Sequence, residues 1–312
     1  MSEKNIIKIH TVEDFITAIK LNKFEDSNNY IILNNDICFD SYEDLNSLSS
    51  SIIELNCTFD GNNHCLKNLL YSADNNNSLF GKITTNGVIK NLTISDYCIY
   101  LFNNCGGGFA YRNYGVISNC SIINAVISID DDIKCLNDFD SEYEGIGGFV
   151  GINFGNIEYC KIKETNITGF NNVGSIAGIN FGNIDNCVIE KCNILESWDF
   201  IGSICGCNLY PGKITNCESD CDIYYCSEYI GGLVGDNSSI ISNCKLTRCI
   251  IENCRDNIDY LVYKNSDTIE NCNYNCDIVF NKKYNIGKDI LIGRGNYINC
   301  EGNGKIINSE IK

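Results

Sequence analysis

A short phrase ending in Asn-Cys recurs along the chain, and its spacing leaves few folds open. GVISNCSI, GNIEYCKI and GNIDNCVI, ending at Ile122, Ile162 and Ile189, are followed by KITNCES, IISNCKL, TIENCNY and YINCEG. Their cysteines are Cys120, Cys160, Cys187, Cys217, Cys244, Cys272 and Cys300, separated by 40, 27, 30, 27, 28 and 28 residues. An earlier copy, GVIKNLTI, puts Leu92 28 residues before Cys120. Self-similarity at a fixed period of this length marks an array of stacked units rather than a conventional domain. The residues within each unit are strand and corner formers: Ile, Tyr and Cys with Asn and Gly, and Pro211 as the sole proline. The reading is a parallel β-solenoid with coils of about 28 residues.

A second phrase precedes the first at a fixed distance: GGGFAYRN, IGGFVGIN, VGSIAGIN, IGSICGCN and IGGLVGDN. Its small and apolar residues alternate, as in one short strand packed closely on its neighbours. One coil is therefore expected to hold a strand, a Gly/Asn corner, a second strand, another corner and a third, variable strand. Ile157 and Cys160 are an odd number of residues apart although both are expected to face inward, which requires a bend at or before Tyr159. That bend carries Asn119, Asn186, Asn216, Asn243, Asn271 and Asn299 in the other copies. Asn tolerates left-handed backbone, and stacked Asn side chains can hydrogen-bond from coil to coil. The cysteine set is expected to form a core column and the asparagine set a corner ladder.

Thr11-Val12-Glu13-Asp14 has the form of a capped helix start, with Val12, Phe15, Ile16 and Ile19 on one face. Such a helix would plug the first coil. Residues 1–50 are accordingly taken as the cap and first strands, and 51–312 as one continuous solenoid. An acidic insertion at 130–144 accounts for the 40-residue interval.

The phrase GGFVGINFGNIEYCKI, and LVGDNSSIISNC preceded by Gly231-Gly232, resembles the GLUG motif of repeat arrays in bacterial and archaeal surface proteins. The N-terminal segments YIILNNDICF, CTFDGNNHCLKNLLY and SLFGKITTNGVIKNLTI extend the likeness over almost the whole chain. The resemblance implies a right-handed, single-stranded parallel β-helix, all-β apart from the cap. It also implies an adhesin-like role at the cell surface. The polar start MSEKNIIKIH shows no signal peptide, so the chain as given reads as cytoplasmic, against that implication.

The 21 cysteines are periodic. Beside the main column runs a second, Cys192, Cys221, Cys249 and Cys276, and Cys226 with Cys254 begins a third. In-register coils lie about 4.8 Å apart, within the Cα range of a disulfide, but like-facing Cβ vectors are parallel, which is poor disulfide geometry. Free thiols acting as small core hydrophobes are expected. Without CxxC or His pairs no metal site is expected.

A formal charge of −17, from 23 basic and 40 acidic residues, disfavours nucleic acid, and no stretch is apolar enough for membrane insertion. A catalytic site would need paired carboxylates on one lateral face, and the acidic residues show no recurrence at equivalent positions in neighbouring coils. No catalytic residue and no cofactor is expected. The insertion gathers Asp130, Asp131, Asp132, Asp138, Asp140, Glu142 and Glu144, a candidate binding loop with Ca2+ as its conceivable ligand. The expected function is a non-enzymatic binding or structural module that engages a protein or glycan on a lateral face. Two alternatives stand beside it: a self-assembling fibre or coat protein, stacked end or side and cross-linked through cysteine, and a carbohydrate-active β-helix enzyme.

Overall fold

The structure is a computed structural model and describes residues 4–39, 54–73, 78–101, 105–129, 144–281 and 296–309. It is an all-β parallel solenoid of about nine turns, roughly 28 residues each, with a single short helix. Four parallel sheets stack along the body, with 11, 12, 6 and 8 strands among the described residues. We number them 1 to 4 in the order a coil visits them. A representative coil uses Asn183–Asp185 in sheet 1, Val188–Leu195 in sheet 2, Asp199–Gly202 in sheet 3 and Cys205–Asn208 in sheet 4.

The core is built of columns. In seven consecutive three-residue strands of sheet 1 the central residue is isoleucine: Ile89, Ile117, Ile157, Ile184, Ile214, Ile241 and Ile269 stack in register, all fully buried. Like side chains at one strand spacing repeat the same packing solution in every coil, which is why a short period suffices to specify a long body. The Gly-rich phrase departs from the single strand expected. It divides between sheet 3 (Ile146–Gly147) and sheet 4 (Val150–Asn153), with a bend between them. Phe149 and Val150, consecutive in sequence, are both buried, as are Ile176 and Ala177. Alternation cannot put neighbours on one face, so the chain turns a corner there and each coil has four strands.

Corners are made by left-handed backbone, mostly at asparagine. Asn91, Asn119, Asn186, Asn216, Asn243, Asn271 and Asn299 have φ between 51 and 54°, and Tyr159 takes the same conformation at 55°. This bend turns both Ile157 and Cys160 into the core. Glycine is demanded at the opposite corner. A Cβ on Gly155 would lie 2.1 Å from the carbonyl oxygen of Gly115, and one on Gly182 equally close to that of Gly155.

The last residues of six consecutive sheet-4 strands form a buried amide ladder: Asn113, Asn153, Asn180, Asn208, Asn237 and Asn265. Each Nδ2 donates to the next Oδ1, at 2.8, 2.9, 2.8, 2.7 and 2.7 Å. The ladder also satisfies the turn: Asn180 Oδ1 accepts from the Gly182 amide while its Nδ2 reaches the Gly182 and Lys213 carbonyls. Buried polar groups need partners, and a repeating amide supplies one donor and one acceptor per coil along the axis.

At the N-terminal end, helix α1 (Val12–Lys20) begins with a complete capping box at Thr11 and Asp14. It buries Phe15, Ile16, Ala18 and Ile19, while Val12 is half-buried. Phe15 packs on Phe24, Phe39 and Phe59, closing the core with rings rather than with another coil. Strands Asn5–Ile9 and Asn29–Leu33 already belong to sheet 1, so the cap is continuous with the coils.

Candidate functional site

Most side chains that repeat are absorbed by the core, so a functional surface is sought where a coil breaks its own pattern. The corner between sheets 2 and 3 does so on successive coils. Its backbone is left-handed at Glu196, Tyr225 and Asn253, with φ of 49, 58 and 57°. It is left-handed again four residues later, at Phe200, Tyr229 and Asn257, and at the equivalent Asn172, with φ of 53 to 59°. Asparagine adopts this conformation at little cost, whereas bulky aromatic residues are genuine outliers in it, strained by about 1–3 kcal/mol each. Phe200, Tyr229 and Tyr225 therefore occupy positions where the fold alone favours asparagine.

Between these bends the corner carries Trp198, 49% exposed, and the first bend itself carries Tyr225, 61% exposed. Phe170 meets Trp198 edge-on, ring centroids 5.0 Å apart at 65°. Phe200 stacks on Tyr229 at 4.9 Å, and Tyr229 continues to Tyr263 at 5.4 Å. Beneath them, Ile152, Ile179, Cys105 and Cys207 form a small apolar cluster on the outside of the coil, covered by Tyr111, Phe181 and Phe200. Cys207 donates from Sγ to Asn172 Oδ1 at 2.9 Å.

Beside the aromatic residues, Asn171, Asp199 and Glu228 stand in register on consecutive strands. This corrects the expectation that acidic residues do not recur at equivalent positions: the coils differ by one residue in length here, which hid the alignment. Burial, and then the neighbouring Glu228 carboxylate, hold the Asp199 carboxyl above its ordinary range. Asn257 donates to Glu228 Oε2 at 3.4 Å and accepts from the Tyr263 hydroxyl at 3.0 Å. The corner thus presents an indole, two stacked carboxylates and an amide within three coils.

A second external ring column, Tyr114, Phe154 and Phe181, has a different character. Its rings lie 4.8 and 5.1 Å apart and within 4° of parallel. Each ring face is covered by the next, so this column shows mainly edges to solvent. It braces the corner between sheets 4 and 1.

Of the residues singled out from sequence, Cys120, Cys160, Cys187, Cys217, Cys244 and Cys272 lie buried in the core and Cys300 is half-buried. The thiols of all seven are free. The thiols of the column donate to the carbonyl two residues earlier, at 3.2 to 3.5 Å. Asn119 hydrogen-bonds Asn91 at 2.7 Å and Asn299 hydrogen-bonds Asn271 at 3.3 Å. Asn216 instead turns to Asp185, at 2.8 Å, and Asn186 to the same carboxylate. The continuous amide ladder is the buried one in sheet 4, whose signal was the terminal Asn of every Gly-rich phrase.

Asp130, Asp131, Asp132, Asp138, Asp140 and Glu142 lie outside the described residues, and with them the acidic loop proposed for Ca2+. Glu144 is described, and its carbonyl accepts from Asn172 Nδ2 at 2.6 Å. The insertion leaves sheet 2 at Ile129 and rejoins sheet 3 at Ile146, which places its two ends at this same corner. Among the described residues no group of three or more His, Cys, Asp or Glu could hold a metal ion. No helix among them is long and apolar enough to cross a membrane.

Neither a family model nor a curated protein matches this sequence. Among the solved structures similar to it are two from bacteria. A Bacteroides ovatus protein described as a candidate immunoglobulin A1 protease superposes with a TM-score of 0.50 at 17% identity, covering 95% of this chain and 84% of that one. L. reuteri 53608 SRRP covers 97% of this chain and 98% of its own, with 12% identity and a TM-score of 0.36. With the Bacteroides ovatus protein the fold is what is shared. At 17% identity the first likeness shows a common architecture and carries no activity with it.

Proposed function

We propose that the chain is a non-catalytic binding module that holds a neutral glycan at the corner between sheets 2 and 3. The observation that carries this reading is the exposed Trp198 beside the in-register pair Asp199 and Glu228. The C–H face of a pyranose packs on an indole, while carboxylates accept hydrogen bonds from adjacent hydroxyls; an apolar platform with a few placed polar groups is the usual composition of such a site. A charge of −17 repels uronate- or sulfate-bearing chains, so the ligand class is uncharged. Phe200 and Tyr229, held in strained backbone, extend the surface along the axis.

Isothermal titration of the chain against neutral and anionic oligosaccharides tests the reading, with reducing-end analysis to detect turnover. Neutral binding that falls at least tenfold in Trp198→Ala and persists in Tyr159→Ala, a change at a distant exposed ring, supports it. Equal binding by Trp198→Ala, preference for an anionic chain, or cleavage of the oligosaccharide overturns it.

A second reading, self-assembly, draws on one feature. The strand Glu301–Ser309 lies at an edge of sheet 2 and exposes Ile306 and Ile307 at 50% and 40%. Long exposed edges invite pairing with another chain. Sedimentation of wild type against Ile306→Lys decides it, since an edge-paired oligomer dissociates in the variant.

A further inference from the structure

Seven thiols on consecutive coils are more than a narrow core requires, because valine or alanine would fill the same space. Their geometry has a chemical use. The coils are hydrogen-bonded to one another at this very column: Lys161, Val188, Glu218, Lys245, Asn273 and Glu301 donate from their amides to the carbonyls of Cys120, Cys160, Cys187, Cys217, Cys244 and Cys272. In-register pairing of the residue that follows each cysteine stacks the seven thiols on successive coils. Strand spacing puts successive sulfurs about 4.8 Å apart, with parallel Cα–Cβ bonds roughly perpendicular to the axis.

That arrangement is wrong for a disulfide, which needs sulfurs at about 2.05 Å and a torsion near 90°. It is right for an ion midway between two sulfurs. Thiolate bonds of about 2.3 Å, the length seen with zinc, placed end to end span about 4.6 Å. The bonds to the ion then run along the axis, nearly at right angles to Cβ–Sγ, as a two-coordinate thiolate prefers. Four-coordinate ions find no third and fourth donor, consistent with the absence of a three-ligand cluster among the described residues. The surrounding core is dry, so the bound unit has to be neutral.

We propose that the Cys120–Cys300 column is a binding site for a soft cation that takes two ligands in line, with divalent mercury the best match in charge. The reaction is 2 RSH + Hg2+ → RS–Hg–SR + 2 H+, in which two S–H bonds break, two S–Hg bonds form, and nothing is oxidised or reduced. A sulfur already bonded along the axis on one side does not bridge in line on the other, so ions occupy alternate gaps. Seven thiols taken in adjacent pairs accommodate three ions. Silver(I) or copper(I) fits the same gap but leaves one negative charge per pair, and ranks below mercury for that reason. Loading starts at the C-terminal end, where Cys300 is half-buried and stands next to the fully buried Cys272; at the other end α1 and its phenylalanines close the core.

The test uses the full chain, reduced and handled without oxygen, with Cys38, Cys98 and Cys135 replaced by serine to remove the more accessible or undescribed thiols. Mercuric chloride is added and bound ions are counted by native mass spectrometry, with far-ultraviolet circular dichroism to follow the strands and X-ray absorption to count sulfur neighbours. The expected result is uptake with the strand signal retained, two sulfur neighbours per ion and two protons released per ion. The triple variant Cys160→Val, Cys217→Val and Cys272→Val leaves the column's remaining thiols two coils apart and is expected to bind three fewer ions. Should it fail to fold, Cys217→Val alone is expected to bind one fewer. Unchanged uptake in either variant, three or more sulfur neighbours, or loss of the strand signal on loading overturns the proposal.

Discussion

Replacing Asn180 by alanine tests whether the buried amide ladder, rather than the exposed corner asparagines, holds the coils in register. The Asn180 side chain makes five hydrogen bonds. It accepts from Asn153 Nδ2 at 2.9 Å and the Gly182 amide at 3.2 Å, and donates to Asn208 Oδ1 at 2.8 Å and the Gly182 and Lys213 carbonyls at 3.1 and 3.3 Å. Asn153 keeps other acceptors, the Gly155 and Asn183 carbonyls, so its loss is small. The Gly182 amide and Asn208 Oδ1 lose the partner that Asn180 gave them. Each buried orphan costs about 1–3 kcal/mol, which gives a destabilisation of about 2–6 kcal/mol before any cavity is counted. The control is Asn183→Ala. Asn183 donates to Asn156 at 3.1 Å across the exposed face of sheet 1, where water replaces the partner and the cost stays under about 1 kcal/mol. Urea titrations followed by circular dichroism give both values if the transitions are two-state, and Asn180→Ala with Asn208→Ala tests their coupling. The double change is expected to cost less than the sum, because either substitution already breaks the shared bond. If Asn180→Ala costs no more than Asn183→Ala, the ladder is ornamental and the argument fails.

Three further outcomes follow from the geometry. Phe200→Asn relieves left-handed strain but gives up the ring stack with Tyr229. Thermal stability should therefore move by less than about 1 kcal/mol, while glycan affinity drops; a parallel loss of both would mark Phe200 as structural. Gly155→Ala drives a Cβ to 2.1 Å from the Gly115 carbonyl oxygen and should cost about 3 kcal/mol or more, read as a fall in denaturation midpoint. The Asp199 carboxyl is raised above the ordinary carboxylate range by burial and then by Glu228. The folded state therefore binds that proton more tightly than the unfolded chain, and the stability this gives at low pH is lost as pH rises through the folded value. Asp199→Asn should accordingly melt higher than wild type at pH 7 and show little advantage near pH 3.5. An advantage that grows on acidification would refute the assignment.

The period, the parallel sheets and the cap could be read from sequence because each repeats or matches a local rule. Ile157, Ile184 and Ile214 recur at the same phase in successive coils, and Thr11 with Asp14 spells out a capping box. The fourth strand could not be read so directly. Phe149 and Val150 look like any apolar pair until the bend between sheets 3 and 4 shows that both face inward. The buried ladder was present as the final Asn of each Gly-rich phrase, but nothing in a single sequence separates an inward amide from an outward one. The Asp199 and Glu228 register was hidden by a length change. The intervals between successive column cysteines vary from 27 to 30 residues, and the adjustment falls partly within sheet 2, where the pairing shifts between Glu190 and Cys192. Counting by a constant period therefore loses alignment at the corner that follows.

That loss of alignment explains why the candidate site escaped a reading tuned to regularity. A solenoid stabilises itself through residues that repeat, so repetition selects for structure and against visibility of function. The corner between sheets 2 and 3 reverses this. At one left-handed column asparagine occurs at Asn172 and Asn257, yet Phe200 and Tyr229 interrupt it at the same φ. The backbone gains nothing from the exchange, because an asparagine there would adopt the conformation with less strain. What the aromatic residues add is a surface over Ile152, Ile179 and Cys207, next to Trp198 and the two carboxylates. Ile129 and Ile146, which flank the acidic insertion in sequence, stand at that corner as well. Strained rings, an exposed indole and stacked carboxylates converge on a single edge, and that convergence is what the proposed glycan site rests on.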